Sequence, residues 1–160
     1  MALEHSFGTF NAGSLDYGDR KRWRELVKTG LHNLVPRPIL LHDDFVTYIN
    51  DTLNWVPCYN PDKQQAHFGL NHYGITLIFH DGAKVATSIF EGWARLFKLG
   101  PHKLHLTGAY TFPSSSAKSG AYEMLIYERD ATVNKLLDLA RQCRNVAANP
   151  GKNFILHLGI

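Results

Sequence analysis

Tyr73-Gly-Ile-Thr-Leu-Ile-Phe79 is a run of seven residues, six of them apolar, β-branched or aromatic. It is too short for a buried helix, and Gly69 before it and Asp81-Gly82 after it supply turn residues, so it predicts a central strand. Downstream, Val85, Ile89, Trp93 and Leu96 or Phe97 recur at helical spacing. Asp81-Gly82 alone would suit a hairpin, but this period outweighs it and predicts a helix. Arg95 and Lys98 lie in its last turn, with Gly100-Pro101 as the stop.

From His102 to Phe112, Leu104, Leu106, Tyr110 and Phe112 alternate with more polar residues, which reads as a strand. The turn-rich stretch 113–120 links it to a second strand, Ala121 to Arg129, as a hairpin. Asp130 is placed to cap a helix through about Ala148, with Val133, Leu136, Leu137, Ala140 and Cys143 on one stripe. Asn149-Pro150-Gly151 ends that helix, and Asn153 to Ile160 reads as a last strand. The order βαββαβ predicts an α+β, ferredoxin-like antiparallel sheet with helices on one face. With the more apolar parity under those helices, the open face gathers Thr76, Ile78, His105, Thr107 and His157, among others.

Towards the N-terminus the pattern weakens. Residues 1–18 read as an irregular arm, and Asp19 caps a helix from Arg20 to Thr29. Pro36 and Pro38 predict an extended link, followed by a helix from Asp43 or Asp44 to about Val56, with Phe45, Ile49, Leu53 and Val56 on one stripe. The expectation is one domain over 1–160, with an arm and two helices in 1–70 and the βαββαβ core in 71–160.

A chain of 160 residues buries enough surface to fold without disulfides or metals, and its 44% hydrophobic and 19% charged residues are ordinary for a globular domain. No stretch approaches the ~20 apolar residues of a membrane span, and the first residues lack the features of a signal peptide. A cytoplasmic protein is expected. Cys58 and Cys143 are far apart and predict reduced thiols; neither metal nor cofactor is expected.

Charge is unevenly spread. Pro38 to Asp62 holds four aspartates and no Lys or Arg, within a chain of net charge +3. Acids beside aromatic rings suit a protein interface, where complementary charge speeds encounter and buried rings anchor it. Asp43, Asp44, Tyr48, Asp51, Trp55 and Tyr59 are the candidate partner-binding residues. The basic cluster Arg20, Lys21, Arg22 and Arg24 reads as a solvated helix face, so nucleic acid is not the expected partner.

An alternative is a small phosphoesterase, nuclease or ligand-binding domain that uses the open sheet face around His105 and Thr107. His105-Leu-Thr107 matches the His-x-Thr element of two-histidine phosphoesterases, in which one histidine acts as general base and another as general acid. No second His-x-Thr occurs, and His157-Leu-Gly159 is the nearest substitute, giving His105, Thr107 and His157 as the alternative catalytic set. A phosphate loop, a nucleophile elbow and a Cys-His dyad at readable spacing are all missing.

Four stretches carry a resemblance: Tyr-Gly-Ile-Thr-Leu-Ile at 73–78, Trp-Ala-Arg-Leu-Phe-Lys-Leu-Gly-Pro at 93–101, Leu-His-Leu-Thr-Gly-Ala-Tyr at 104–110 and the terminal His-Leu-Gly-Ile. Together they resemble small bacterial immunity proteins of polymorphic or contact-dependent toxin systems. The resemblance implies a non-enzymatic, stoichiometric inhibitor of one cognate toxin. It carries over no site residue, because those families share no catalytic motif and differ in fold.

Overall fold

Residues 3–11, 13, 19–29, 37–112 and 119–160 are described by a computed structural model. Their elements are β1 (Glu4–Asn11), α1 (Arg20–Thr29), β2 (Ile39–His42), α2 (Asp43–Leu53), β3 (Pro57–Asn60), β4 (Gln65–Phe68), β5 (Ile75–Ile78), α3 (His80–Lys98), β6 (Lys103–Thr111), β7 (Ala121–Glu128), α4 (Arg129–Ala148) and β8 (Asn153–Leu158). No helix among the described residues is long and apolar enough to cross a membrane.

The class is α+β, built on a six-stranded antiparallel sheet in the order β2-β1-β8-β5-β3-β4. Strands β6 and β7 pair only with each other among the described residues, as a separate hairpin. The expected four-stranded ferredoxin-like sheet is thus replaced. The βαββαβ succession along the chain is present, but β1, β2, β3 and β4 from the first seventy residues take the places beside β5 and β8. The expected irregular arm contains β1, which lies between β8 and β2.

Strand alternation gives the sheet two faces. Ile75, Leu77, Phe154 and Leu156 share one face and pack with Trp23 of α1. Phe7, Leu41, Cys58, Ile78 and Ile155 share the other, and form the main core with the buried stripes of α2, α3 and α4. Helices therefore cover both faces, three on one and α1 on the other. The more apolar parity lies under α1, and the mixed parity lies under the three helices, the reverse of the expected arrangement.

α3 sets the depth of the main core. Gly82, Ala83, Ala86, Phe90, Ala94 and Phe97 form its buried stripe. At Gly82 an added Cβ would stand 2.0 Å from the Pro57 carbonyl oxygen, so only glycine lets the helix approach β3 this closely. α4 packs alongside, with Arg144 paired to Glu91 of α3. The hairpin turns Leu104, Leu106 and Tyr127 towards this core, where Tyr127 meets the Phe45 ring edge-on at 5.3 Å.

Candidate functional site

Two features stand out against this frame: a polar cluster on the sheet face covered by α2, α3 and α4, and an apolar groove between α2 and α3.

The cluster begins with register. β8 pairs Phe7 with His157 on one side and Thr76 with His157 on the other, so His157 occupies the middle of the sheet. His5, two residues before Phe7, points to the same face. His5 Nδ1 lies 2.8 Å from His157 Nε2, and His5 Nε2 lies 2.8 Å from Asp43 Oδ1. His157 Nδ1 lies 3.2 Å from the Thr76 hydroxyl, which accepts the Asn71 backbone N–H at 2.8 Å. His5 and His157 are buried, with 1% and 0% of their surface exposed.

One proton arrangement satisfies every partner. Asp43 as a carboxylate only accepts, so His5 carries its proton on Nε2 and accepts on Nδ1. His157 then donates from Nε2 and accepts on Nδ1 from the Thr76 hydroxyl. The result is a one-way relay from Asn71 to Asp43 with both rings neutral. Burial lowers the His5 pKa, partly opposed by its hydrogen bond to Asp43 and the charge of that carboxylate. Burial, with His5 and His72 nearby, lowers that of His157 well below the ordinary value.

Asp43 is the first residue of α2, and its backbone N–H donates to the Leu3 carbonyl at 3.0 Å, which ties the start of β1 to the helix. The helix N-cap is His42, whose side chain accepts from the Asp44 N–H, rather than Asp43 or Asp44 as expected. His72, in the loop before β5, brings Nδ1 to 3.5 Å from Asp43 Oδ1 and remains 46% exposed.

The groove has a volume of about 500 Å³ and is lined by Thr52 and Trp55 from α2 and the turn after it, and by Val85, Ser88, Ile89, Gly92, Trp93 and Leu96 from α3. Trp55 and Leu96 are 64% and 58% exposed. Trp93 donates its indole N–H to the Thr52 hydroxyl at 2.9 Å, which in turn donates to the Ile49 carbonyl. Its polar atom is thus satisfied internally, and an apolar ring is left towards the groove. A second apolar surface lies on the outward face of the hairpin, where Tyr122, Met124 and Ile126 are exposed.

The candidate partner-binding residues divide between these places. Asp43 is turned into the histidine cluster. Asp51 faces solvent on α2, Asp44 is half-buried with its carboxylate 3.2 Å from His42 Nδ1, Tyr48 packs by Trp93 and Phe97, and Trp55 forms a wall of the groove. Tyr59 lies across the sheet, half-buried against Phe79. The alternative catalytic set is dispersed. His105 and Thr107 are exposed on β6, and His157 is enclosed in the other sheet. His105 contacts Met124 Sδ at 3.2 Å, and no acid–base pair across a shared cavity results. Of the basic cluster on α1, Arg24 pairs with Asp62 at 3.1 Å, and the side chains of Arg20 and Arg22 lie outside what is described.

Sequence reasoning missed His5, Asp43 and His72 as a group, since nothing in their spacing signals a shared site. Compared with protein-family models, curated proteins and solved structures, the chain matches none of them.

Proposed function

We propose that this protein acts by binding another protein, without catalysing a reaction, and that the groove between α2 and α3 receives the partner. The observation that supports this reading is the exposed wall of Trp55 and Leu96 over a floor whose polar atoms are already satisfied. Such a groove offers desolvation energy and shape, the ingredients of an interface hot spot. Its lining has no titratable acid or base, and its two hydroxyls, Thr52 and Ser88, donate to the Ile49 and Lys84 carbonyls. Its form suits an amphipathic helix or a pair of apolar side chains from the partner. Asp51, exposed on α2, and the half-buried Asp44 at the start of the same helix add negative charge that favours a basic partner.

The specific form of the proposal is a cytoplasmic immunity protein that neutralises one cognate toxin by stoichiometric binding. The sequence resemblance supports it, as does the pairing of an apolar anchor with acidic residues, which suits the cationic cleft of a nuclease toxin. The test is co-expression of this chain with toxins encoded beside its gene. Wild type should protect the cell and co-purify with one toxin at equal stoichiometry. Trp55→Ala with Leu96→Asp should fold normally and lose both properties. Full protection by the double variant would remove the groove as the binding surface, and failure of every neighbouring gene product to bind would remove the immunity reading.

A further inference from the structure

His5, Asp43 and His72 come from three separate parts of the chain, yet their ligand atoms all lie within 4.8 Å of one another. We propose that these three residues bind a divalent transition metal of the zinc type, through His5 Nε2, an Asp43 carboxylate oxygen and His72 Nδ1, with a further coordination position open to solvent beside His72. Nothing in the protein-binding reading requires this site.

Donor chemistry selects the metal class. Two imidazoles with one carboxylate suit zinc, cobalt or ferrous iron, and not the all-oxygen shells preferred by calcium and magnesium. Spacing agrees. Ligands held tetrahedrally at zinc bond lengths of about 2.0–2.1 Å stand about 3.4 Å apart. His72 Nδ1 and Asp43 Oδ1 are 3.5 Å apart, already at that separation. His5 Nε2 and Asp43 Oδ1, at 2.8 Å, share a proton that a metal would replace, and the pair opens by about 0.6 Å to reach the same spacing.

Backbone contacts hold the ligands in place before any metal arrives. Leu3 fixes Asp43 through its carbonyl. The His72 carbonyl accepts the Ile160 N–H at 3.0 Å, and the Gly74 carbonyl accepts the Gly159 N–H at 2.8 Å. A Cβ on Gly159 would stand 2.2 Å from the His72 carbonyl oxygen, so the C-terminal residues hold the ligand loop at a distance only glycine permits. A site held this way loses little entropy on binding. The positive end of α2 opposes a cation here, and the carboxylates of Asp43 and Asp44 in the first turn offset it.

The relay behind His5 serves as the outer support that metal-bound histidines require. With a metal on Nε2, the neutral His5 ring carries its proton on Nδ1 and donates to His157 Nε2. The His157 proton then sits on Nδ1 and donates to the Thr76 hydroxyl oxygen. Each ring keeps one proton, so the two histidine links reverse with no ring proton gained or lost; Thr76 Oγ1 then accepts from both His157 and the Asn71 N–H, and its own hydrogen turns away from His157.

The test uses the full chain without a histidine tag, titrated with cobalt(II) chloride and followed by visible absorption, then back-titrated with zinc. Wild type should develop the intense bands of low-coordinate cobalt at one equivalent, and zinc should abolish them. His72→Ala, in an exposed loop residue, should keep its circular dichroism spectrum and weaken cobalt binding by at least ~10-fold. His105→Ala, on the separate hairpin, should bind as wild type does. Absence of the bands at millimolar cobalt, or binding indifferent to His72→Ala, would overturn the proposal.

Discussion

His5 and His157 meet edge to edge inside the protein although 152 residues separate them, with Nδ1 and Nε2 2.8 Å apart and ring planes inclined by only 11°. This near-coplanar contact joins the first strand to the last in the interior of the sheet. Both rings stay neutral, and each satisfies the other. Removing either partner leaves a buried polar atom with nothing to replace it.

His157→Leu preserves most of the volume and removes the hydrogen bonds to His5 and Thr76. Each stranded buried group costs about 1–3 kcal/mol, so urea denaturation should show a loss of about 2–4 kcal/mol. A change within experimental error would mean that the relay contributes nothing to stability.

The same histidines make stability depend on pH. Their folded-state pKa values lie below the ordinary value of 6.5, so at mildly acid pH the unfolded chain binds protons that the folded chain does not. The contribution is complete above pH 6.5 and is lost as pH falls from there towards the folded values. With both histidines engaged, the slope reaches about 2.7 kcal/mol per pH unit at most. Thermal melts between neutral pH and pH 5 should show a falling midpoint, with a shallower fall in His157→Leu.

Two glycines of α3 should respond in opposite directions. Gly82→Ala forces a methyl group into the Pro57 carbonyl and should destabilise by about 3 kcal/mol or more. At Gly92 a Cβ meets nothing within 4 Å, so Gly92→Ala should stabilise by about 0.5–1 kcal/mol through helix propensity. Because Gly92 lines the groove, the same substitution should weaken partner binding while raising the melting temperature. Chemical denaturation and a binding titration read the two effects separately.

Cys58 and Cys143 are free and buried, and burial pushes both thiols up to about 12. Neither should react with a disulfide reagent in the native protein at pH 8, and both should react in denaturant. Rapid labelling of the folded chain would show that the core around β3 and α4 opens readily.

The second half of the chain was more legible than the first. α3, α4, β6, β7 and β8 carry long apolar periods, and each lies close to where the sequence put it. β1 was hidden because polar or small residues fall on both of its faces, His5 and Thr9 on one and Ser6 and Gly8 on the other, so no apolar alternation emerges. β2, β3 and β4 are four residues each, too short for an alternation to emerge. Without those strands the sheet could not be assembled correctly from sequence, and β6 and β7 were drawn into it. Of the candidate site, Tyr48, Asp51 and Trp55 were legible as aromatic and acidic residues of one helix and its end. The part contributed by α3 depends on how two helices pack, and the histidine cluster depends on strand register. Neither is written in local spacing.

Site-directed photo-crosslinking most directly tests the claim that this protein binds a partner through the α2–α3 groove. A photoreactive phenylalanine analogue replaces Leu96 in the groove or Lys152 at the exposed turn before β8, in the cells that encode the protein. The account predicts one discrete crosslinked protein from position 96, lost when Trp55→Ala is added, and none from position 152. Crosslinks of equal yield from both positions, or none from position 96, would contradict it.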